Sequence, residues 1–374
     1  MDNKDDEIVL RYPLIFDHRH YVPRLLWRVG EYQALLYLHE HTKIDVTPLI
    51  DIPEVGFDFD TGEDAKTIDQ HLAKFAKRFA AKWNNRWAFV DLRLIDPVER
   101  MSDSRHPLKF VFDNIRSEQA LAIPVTGLGR DAAYQMAVSE TATLDKSGAC
   151  IRLRIEDVAY AGFEARLNLL LSQLKLTANN CHLIVDLQAP NFEPLNGFTK
   201  MVLGLIQKLP QLNEWSTFSI CGTSFPQTMG QLKIGVQIWK RQEWLFYKEL
   251  LSLLGPDDRK PAFGDYAIAH PHHSQKDPRL VKPAASIRYA IDDAWYIVKG
   301  TNVRDNGTSQ YIKHCAELIK SGLFLGNEFS DAGDYIRKCA QRRVKPGNLP
   351  KWRRVGTNHH IEKVVFDLAS LNGS

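Results

Sequence analysis

Carboxylates and guanidiniums recur at the ends of short apolar runs in this chain, where they could grip or transform an anionic ligand. Asp51 falls in residues 46–53, Asp91 and Arg93 in 87–95, Arg152 and Arg154 in 149–156, and Asp186 in 181–188. Side chains alternate faces along a strand. Arg152 and Arg154 therefore share a face opposite Ile151, Leu153 and Ile155, and Asp91 and Arg93 share one opposite Val90, Leu92 and Leu94. Asp51 lies opposite Ile50 and Ile52, and Asp186 opposite Val185 and Leu187. With the apolar faces turned toward surrounding helices, the charged set points inward. Buried charges must be paired, hydrogen-bonded or bound to a ligand. A structural ion-pair layer, such as Asp91 with Arg152, satisfies that rule; so does a ligand site. In a ligand site the arginine forks suit phosphate or carboxylate. The aspartates could act as general acid or base, or hold a divalent metal.

Two further groups carry chemistry. Between 259 and 289 lie Arg259, the run Phe263-Gly264-Asp265-Tyr266, His270, His272, His273, Arg288 and Tyr289. Asp265 joins Asp91 and Asp186 as a candidate catalytic residue; Arg288 and Tyr289 are candidate ligand contacts, with Ser224 and Trp295. The three histidines have neither the i,i+4 spacing of HExxH nor a nearby cysteine pair, so a lid-like loop is favoured over a metal site. Residues 335–361 hold eight Lys/Arg, no acid, Trp352 and the pair His359-His360, which are further ligand candidates. The basic run from Arg337 to Arg354 could track nucleic acid or an acidic partner; a solvated basic face is the plainer reading.

The elements that must position these groups read as repeated βα units. A first strand is expected at 21–27. Six more apolar segments follow at 46–53, 87–95, 121–128, 149–156, 181–188 and 217–226, separated by helix-length stretches. Residues 64–83 place Ile68, Leu72, Phe75, Phe79 and Trp83 at helical spacing, a core stripe. Pro124 argues for a strand end or bulge. Residues 231–254 read as a long amphipathic helix and 255–283 as a loop. The eighth strand is expected at 286–290 or 295–299, or the two form a hairpin. The fold expected is a TIM-like (β/α)8 barrel spanning 21–330, with 231–285 as an insertion, a tail at 1–20, and a basic extension at 331–374 packed on the barrel. Ligand sites of such barrels lie at the C-terminal ends of the strands.

The chain has 374 residues and a net charge of only +3, too small to require a polyanionic partner. Its five cysteines show no CxxC pair, so free buried thiols are expected rather than a disulfide framework. Residues 1–7 are polar and acidic, unlike a signal peptide, and no apolar run nears the ~20 residues that span a bilayer. A cytoplasmic location is expected. No GxGxxG or GxxxxGK[ST] follows a strand.

In order along the chain, Tyr21-Val22-Pro23, Pro48-Leu49-Ile50, Asp91, Arg152, Asp186, Ser224-Phe225-Pro226, Glu243-Trp244, Phe263-Gly264-Asp265-Tyr266, Ile287-Arg288-Tyr289 and Asn358-His359-His360-Ile361 resemble the Beta protein family of phages, prophages and bacterial genomes. The resemblance implies an α/β barrel associated with mobile elements, in phage defence or counter-defence. It brings no reaction and no catalytic residues. The functional expectation is a phosphorylated ligand, nucleotide or nucleic acid, bound at the barrel mouth, with hydrolase or transferase activity open. The alternative is a non-catalytic sensor, inhibitor or partner-binding component.

Overall fold

A computed structural model describes residues 14–272 and 280–373 of the chain. His273 and most of the expected N-terminal tail lie outside the described residues. Eight parallel strands close a barrel: β1 (Tyr21–Leu26), β2 (Leu49–Asp51), β5 (Ala88–Asp91), β6 (Ala122–Thr126), β7 (Ala149–Arg154), β8 (Cys181–Gln188), β9 (Thr217–Gly222) and β11 (Ala262–Asp265). A two-stranded pair, β3 (Phe57–Asp58) and β4 (Glu63–Asp64), lies in the loop after β2. β1 pairs with both β2 and β11, which closes the ring. The expected (β/α)8 architecture stands.

The last barrel strand is not where the sequence placed it. β11 falls inside the stretch expected as a loop. Ala284–Ala290 (β12) and Ala294–Asn302 (β13) instead form an antiparallel hairpin outside the barrel, joined by Gly235–Lys240 (β10). β11 is short, and its Gly264 has no room for a side chain: a Cβ there would sit 2.9 Å from the Val22 carbonyl oxygen and 3.2 Å from the Cys221 Cβ. A four-residue strand around a glycine lacks the β-branched run that marks the others. The expected helix over 231–254 also divides. Val236, Gln237, Ile238 and Trp239 pair with β13 in the alternating pattern of a strand, and only Gln242–Leu253 is helical. Pro124 makes no bulge and does not end β6. It stands opposite Val90 of β5, and pairing with β7 begins at the next residue, Val125.

The barrel is packed in layers. Val22, Leu49, Phe89, Ile123, Val125, Cys150, Ile184 and Cys221 fill the interior, while the alternate residues form the larger core beneath the helices. The stripe expected at 64–83 is core, as read: Ile68–Leu72 starts with a capping box from Thr67 and Gln70, and Phe75–Trp83 buries Phe75, Phe79 and Trp83. The C-terminal helix Leu349–Leu371 packs on the helix Val29–Leu36 and on the outer sheet, and buries Asn358, His359, His360, Glu362 and Lys363. All five cysteines are buried and free. Among the described residues no helix is long and apolar enough to cross a membrane.

Candidate functional site

Directly above the apolar interior sits a layer of charge. Asp51, Asp91, Arg152 and Asp186 share faces with Leu49, Phe89, Cys150 and Ile184, so the same alternation that buries those side chains carries the charged ones inward. Arg152 is the hub. Its Nη1 donates to Asp51 Oδ1 at 2.8 Å and Asp91 Oδ2 at 3.0 Å, and its Nε and Nη2 donate to Asp186 Oδ2 at 2.9 and 2.6 Å. Asp51 also accepts from Arg93 at 2.9 Å and from Arg24. Asp91 accepts from Arg130 at 2.8 Å, and the Tyr266 hydroxyl donates to Asp186 at 2.8 Å. Burial raises the Asp51 pKa, but Arg152, Arg24 and Arg93 reverse this and hold it well below the usual carboxylate range. The carboxylates also hold the Arg152 proton firmly against burial.

Sequence alternation thus brings Asp51, Asp91, Arg93, Arg152 and Asp186 together. It does not bring Arg154, which is exposed at the strand end, where its backbone N–H donates to Asp157 at 2.9 Å. Two partners, Arg24 and Arg130, were missed, and Tyr266 was named only with the separate 259–289 group. Arg24 carried a signal, as a charge inside the apolar run of β1 on the face of Val22. Arg130 and Tyr266 lie beyond strand ends, where alternation says nothing.

Asp265 faces the other way. It shares its face with Phe263, on the helix side of the wall, and accepts from the Tyr21 hydroxyl at 2.5 Å and from His360 Nε2 at 2.6 Å. Trp295 Nε1 donates to His360 Nδ1 at 3.3 Å, which leaves His360 as the Nε2–H tautomer. Burial raises the Asp265 pKa, and His360 and Tyr21 bring it below the ordinary value. His359, next to His360 in the chain, stacks on Tyr289 at 3.6 Å, and its Nε2 lies 2.8 Å from the Ala290 carbonyl. Ser224 is held by Glu243, its hydroxyl 2.7 Å from Oε2. Of the candidate catalytic and ligand residues, Asp265, Tyr289, Trp295, His359 and His360 thus lie in a buried joint between barrel, outer sheet and C-terminal helix, with Asp265 on the outer face of β11, and Ser224 is part-buried just past the end of β9.

A cleft of about 1120 Å³ opens beside the charge layer, over the C-terminal ends of β1, β9 and β11 and against the outer sheet. Eight basic side chains line it: Arg28, Arg78, His270, His272, Lys282, Arg288, Lys299 and Arg353. Glu31 is the one carboxylate among the described lining residues. Arg288 is part-buried, with Nη1 3.4 Å from the Ile268 carbonyl, its guanidinium 5.6 Å from the Phe225 ring, and no carboxylate within ion-pair distance among the described residues. Burial and the neighbouring Arg353 push its pKa down to about 9. Arg353 donates to the same carbonyl at 2.8 Å and reaches Glu31 at 3.6 Å. The helix Val29–Leu36 begins at this cleft with no side-chain cap. The positive dipole end of a helix favours anions, although Glu31 already stands in its first turn.

The basic run from Arg337 to Arg354 is not one surface. Arg353 lines the cleft, Arg354 is buried against Asp331, Lys338 pairs with Asp334, and Arg337 lies over the Phe324 ring.

The family model described as Beta protein matches residues 21–366. No curated protein matches the chain. Among solved structures it is similar to the 3-hexulose-6-phosphate synthase of Salmonella typhimurium, at 12% identity over 65% of this chain and 87% of that one, with a TM-score of 0.32. That likeness is too distant to carry an argument.

Proposed function

The chain belongs to the Beta protein family, and we propose that it is a receptor for a phosphorylated, nucleotide-sized ligand held in the cationic cleft at the barrel mouth. The observation that carries this reading is Arg288: a guanidinium drawn into the cleft with no carboxylate within ion-pair distance among the described residues, beside Arg353 and an uncapped helix start. Phosphate oxygens would complete the donors of both arginines and relieve the unsolvated charge. At about 1120 Å³ the cleft is slightly larger than the roughly 300–1,000 Å³ of common ligand pockets, which leaves room for a nucleotide. The charge layer supports recognition rather than chemistry. Asp51, Asp91 and Asp186 each accept from at least one guanidinium, so serving as a base or metal ligand would break a buried ion pair. In the setting of mobile elements, such a receptor would act as a sensor or inhibitor in phage defence or counter-defence.

The test is calorimetric titration of the full chain with ATP, adenosine, pyrophosphate and a short single-stranded oligonucleotide. ATP binding with no binding of adenosine is expected. Arg288→Met should weaken ATP by about tenfold or more, in line with ~1.5–3 kcal/mol for a hydrogen bond to a charged group. Binding of none of the phosphorylated probes, or of the oligonucleotide alone, would overturn the reading. Turnover of ATP that is lost in Asp186→Asn would replace the receptor by a hydrolase or transferase.

A further inference from the structure

A separate cluster lies outside the barrel mouth, where the chain between β1 and β2 meets the C-terminal helix. His39 and His41 bracket the start of the short helix Glu40–Ile44, and Glu362 reaches them from Leu349–Leu371. One ligand atom from each of the three lies within 4.8 Å of the others, and His39 Nδ1 is 3.5 Å from Glu362 Oε2. The two imidazoles stack with centroids 5.2 Å apart. We propose that His39, His41 and Glu362 form a binding site for a divalent transition ion, with Zn²⁺ the ion its donors suit.

Two imidazoles and one carboxylate are the ligand set of open zinc sites, which keep a fourth position for water. With Zn–N and Zn–O bonds of about 2.0–2.2 Å, tetrahedral donors stand roughly 3.4 Å apart. The His39–Glu362 separation already matches that spacing, and a side-chain rotation of the exposed His41 closes the rest. Glu362 is pre-positioned. Its Oε1 accepts from the His39 backbone N–H at 2.8 Å and its Oε2 from the Thr42 hydroxyl at 2.5 Å. Such outer hydrogen bonds orient ligands and tune affinity. Each carboxylate oxygen has two acceptor positions, so both bonds can persist with an ion bound. Glu362 is buried while His41 is exposed, which leaves an entry path on one side. Bound there, an ion would tie the β1–β2 connection to the C-terminal helix, fastening two segments 320 residues apart in the chain.

The experiment uses the full chain free of any affinity tag, stripped with chelator. Zn²⁺ and Co²⁺ are titrated while thermal unfolding and the visible absorption of bound Co²⁺ are followed. Zn²⁺ should raise the unfolding temperature, and Co²⁺ should develop the intense visible bands of a four-coordinate site. Both responses should fade on acidification, because protons compete with the ion for its ligands. His41→Ala should unfold at the same temperature as the parent without metal, and lose at least tenfold in Co²⁺ affinity. His272→Ala, in the His270–His272 pair of the cleft, should change neither response. No metal response in the parent protein would overturn the site. So would a Co²⁺ spectrum that survives His41→Ala, or one that disappears in His272→Ala instead.

Discussion

At the residue scale, Arg152 decides whether the barrel mouth can exist. Three carboxylates meet within reach of one guanidinium; without it Asp186 would be a buried anion with no ion pair among the described residues, while Asp51 would keep Arg24 and Arg93 and Asp91 would keep Arg130. Arg152→Met keeps the aliphatic part of the side chain and removes the guanidinium, so it should cost about 3–5 kcal/mol in urea unfolding, the range for breaking a buried ion pair from one side. A loss under about 1 kcal/mol would mean that Arg24, Arg93 and Arg130 suffice alone. The set around Arg152 was legible because period-two alternation is a local property: Asp51, Asp91 and Asp186 inherit their direction from Leu49, Phe89 and Ile184. The same rule gave Arg154 its face but not its height. One pair further along β7, that side chain has already left the barrel for solvent. The direction of Asp265, a candidate catalytic residue that faces the helices, was not legible for a related reason. Its strand was not recognised, so its parity could not be read.

At the element scale, the C-terminal helix Leu349–Leu371 is the piece whose role is least like its composition. It reads as basic and polar, yet its middle is buried against the barrel and the outer sheet. Close approach is what allows this. A Cβ on Gly356 would lie 2.6 Å from Ile268 Cδ1 and 3.2 Å from the Arg288 carbonyl oxygen. Gly356→Val should therefore push the helix off its seat and lower stability by about 1–3 kcal/mol, as overpacking does. It should also weaken ATP binding if the cleft is the site, because Ile268 and Arg288 both line it. An unchanged unfolding midpoint would show that the helix shifts without strain. Polar burial of this kind is invisible to hydrophobic periodicity. Asn358, His359 and His360 find their partners in Ala332, Ala290 and Asp265, each supplied by another element.

At the scale of the whole molecule, buried titratable groups set opposing pH dependences. Burial lowers His182 and His359 to about 3, so the folded state excludes protons that the unfolded state accepts below about 6.5. Stability from these two is present above pH 6.5 and lost as pH falls toward 3, by up to about 2.7 kcal/mol per pH unit together. Glu243 works in the other direction. Burial raises it to about 7, with the Asp265 charge adding to the shift. The folded state holds that proton between about 4.5 and 7, a contribution fully present below 4.5 and lost as pH rises through 7. Glu243→Gln removes the opposing group. The variant should lose stability faster than the parent on acidification from pH 6.5 to 4.5, by about 1.4 kcal/mol per unit, when urea unfolding is followed at each pH. Parallel curves would show that Glu243 titrates normally. By itself the sequence determined the barrel, seven of its eight strands and the inward direction of the charge, because alternation and helix-length spacing are short-range. The tertiary structure alone decided which strand closes the ring, that the mouth aspartates are already paired, and that Arg288 stands in the cleft beside them with no ion pair among the described residues. Pairing and cavity shape depend on contacts between segments far apart in the chain, and no local pattern encodes them.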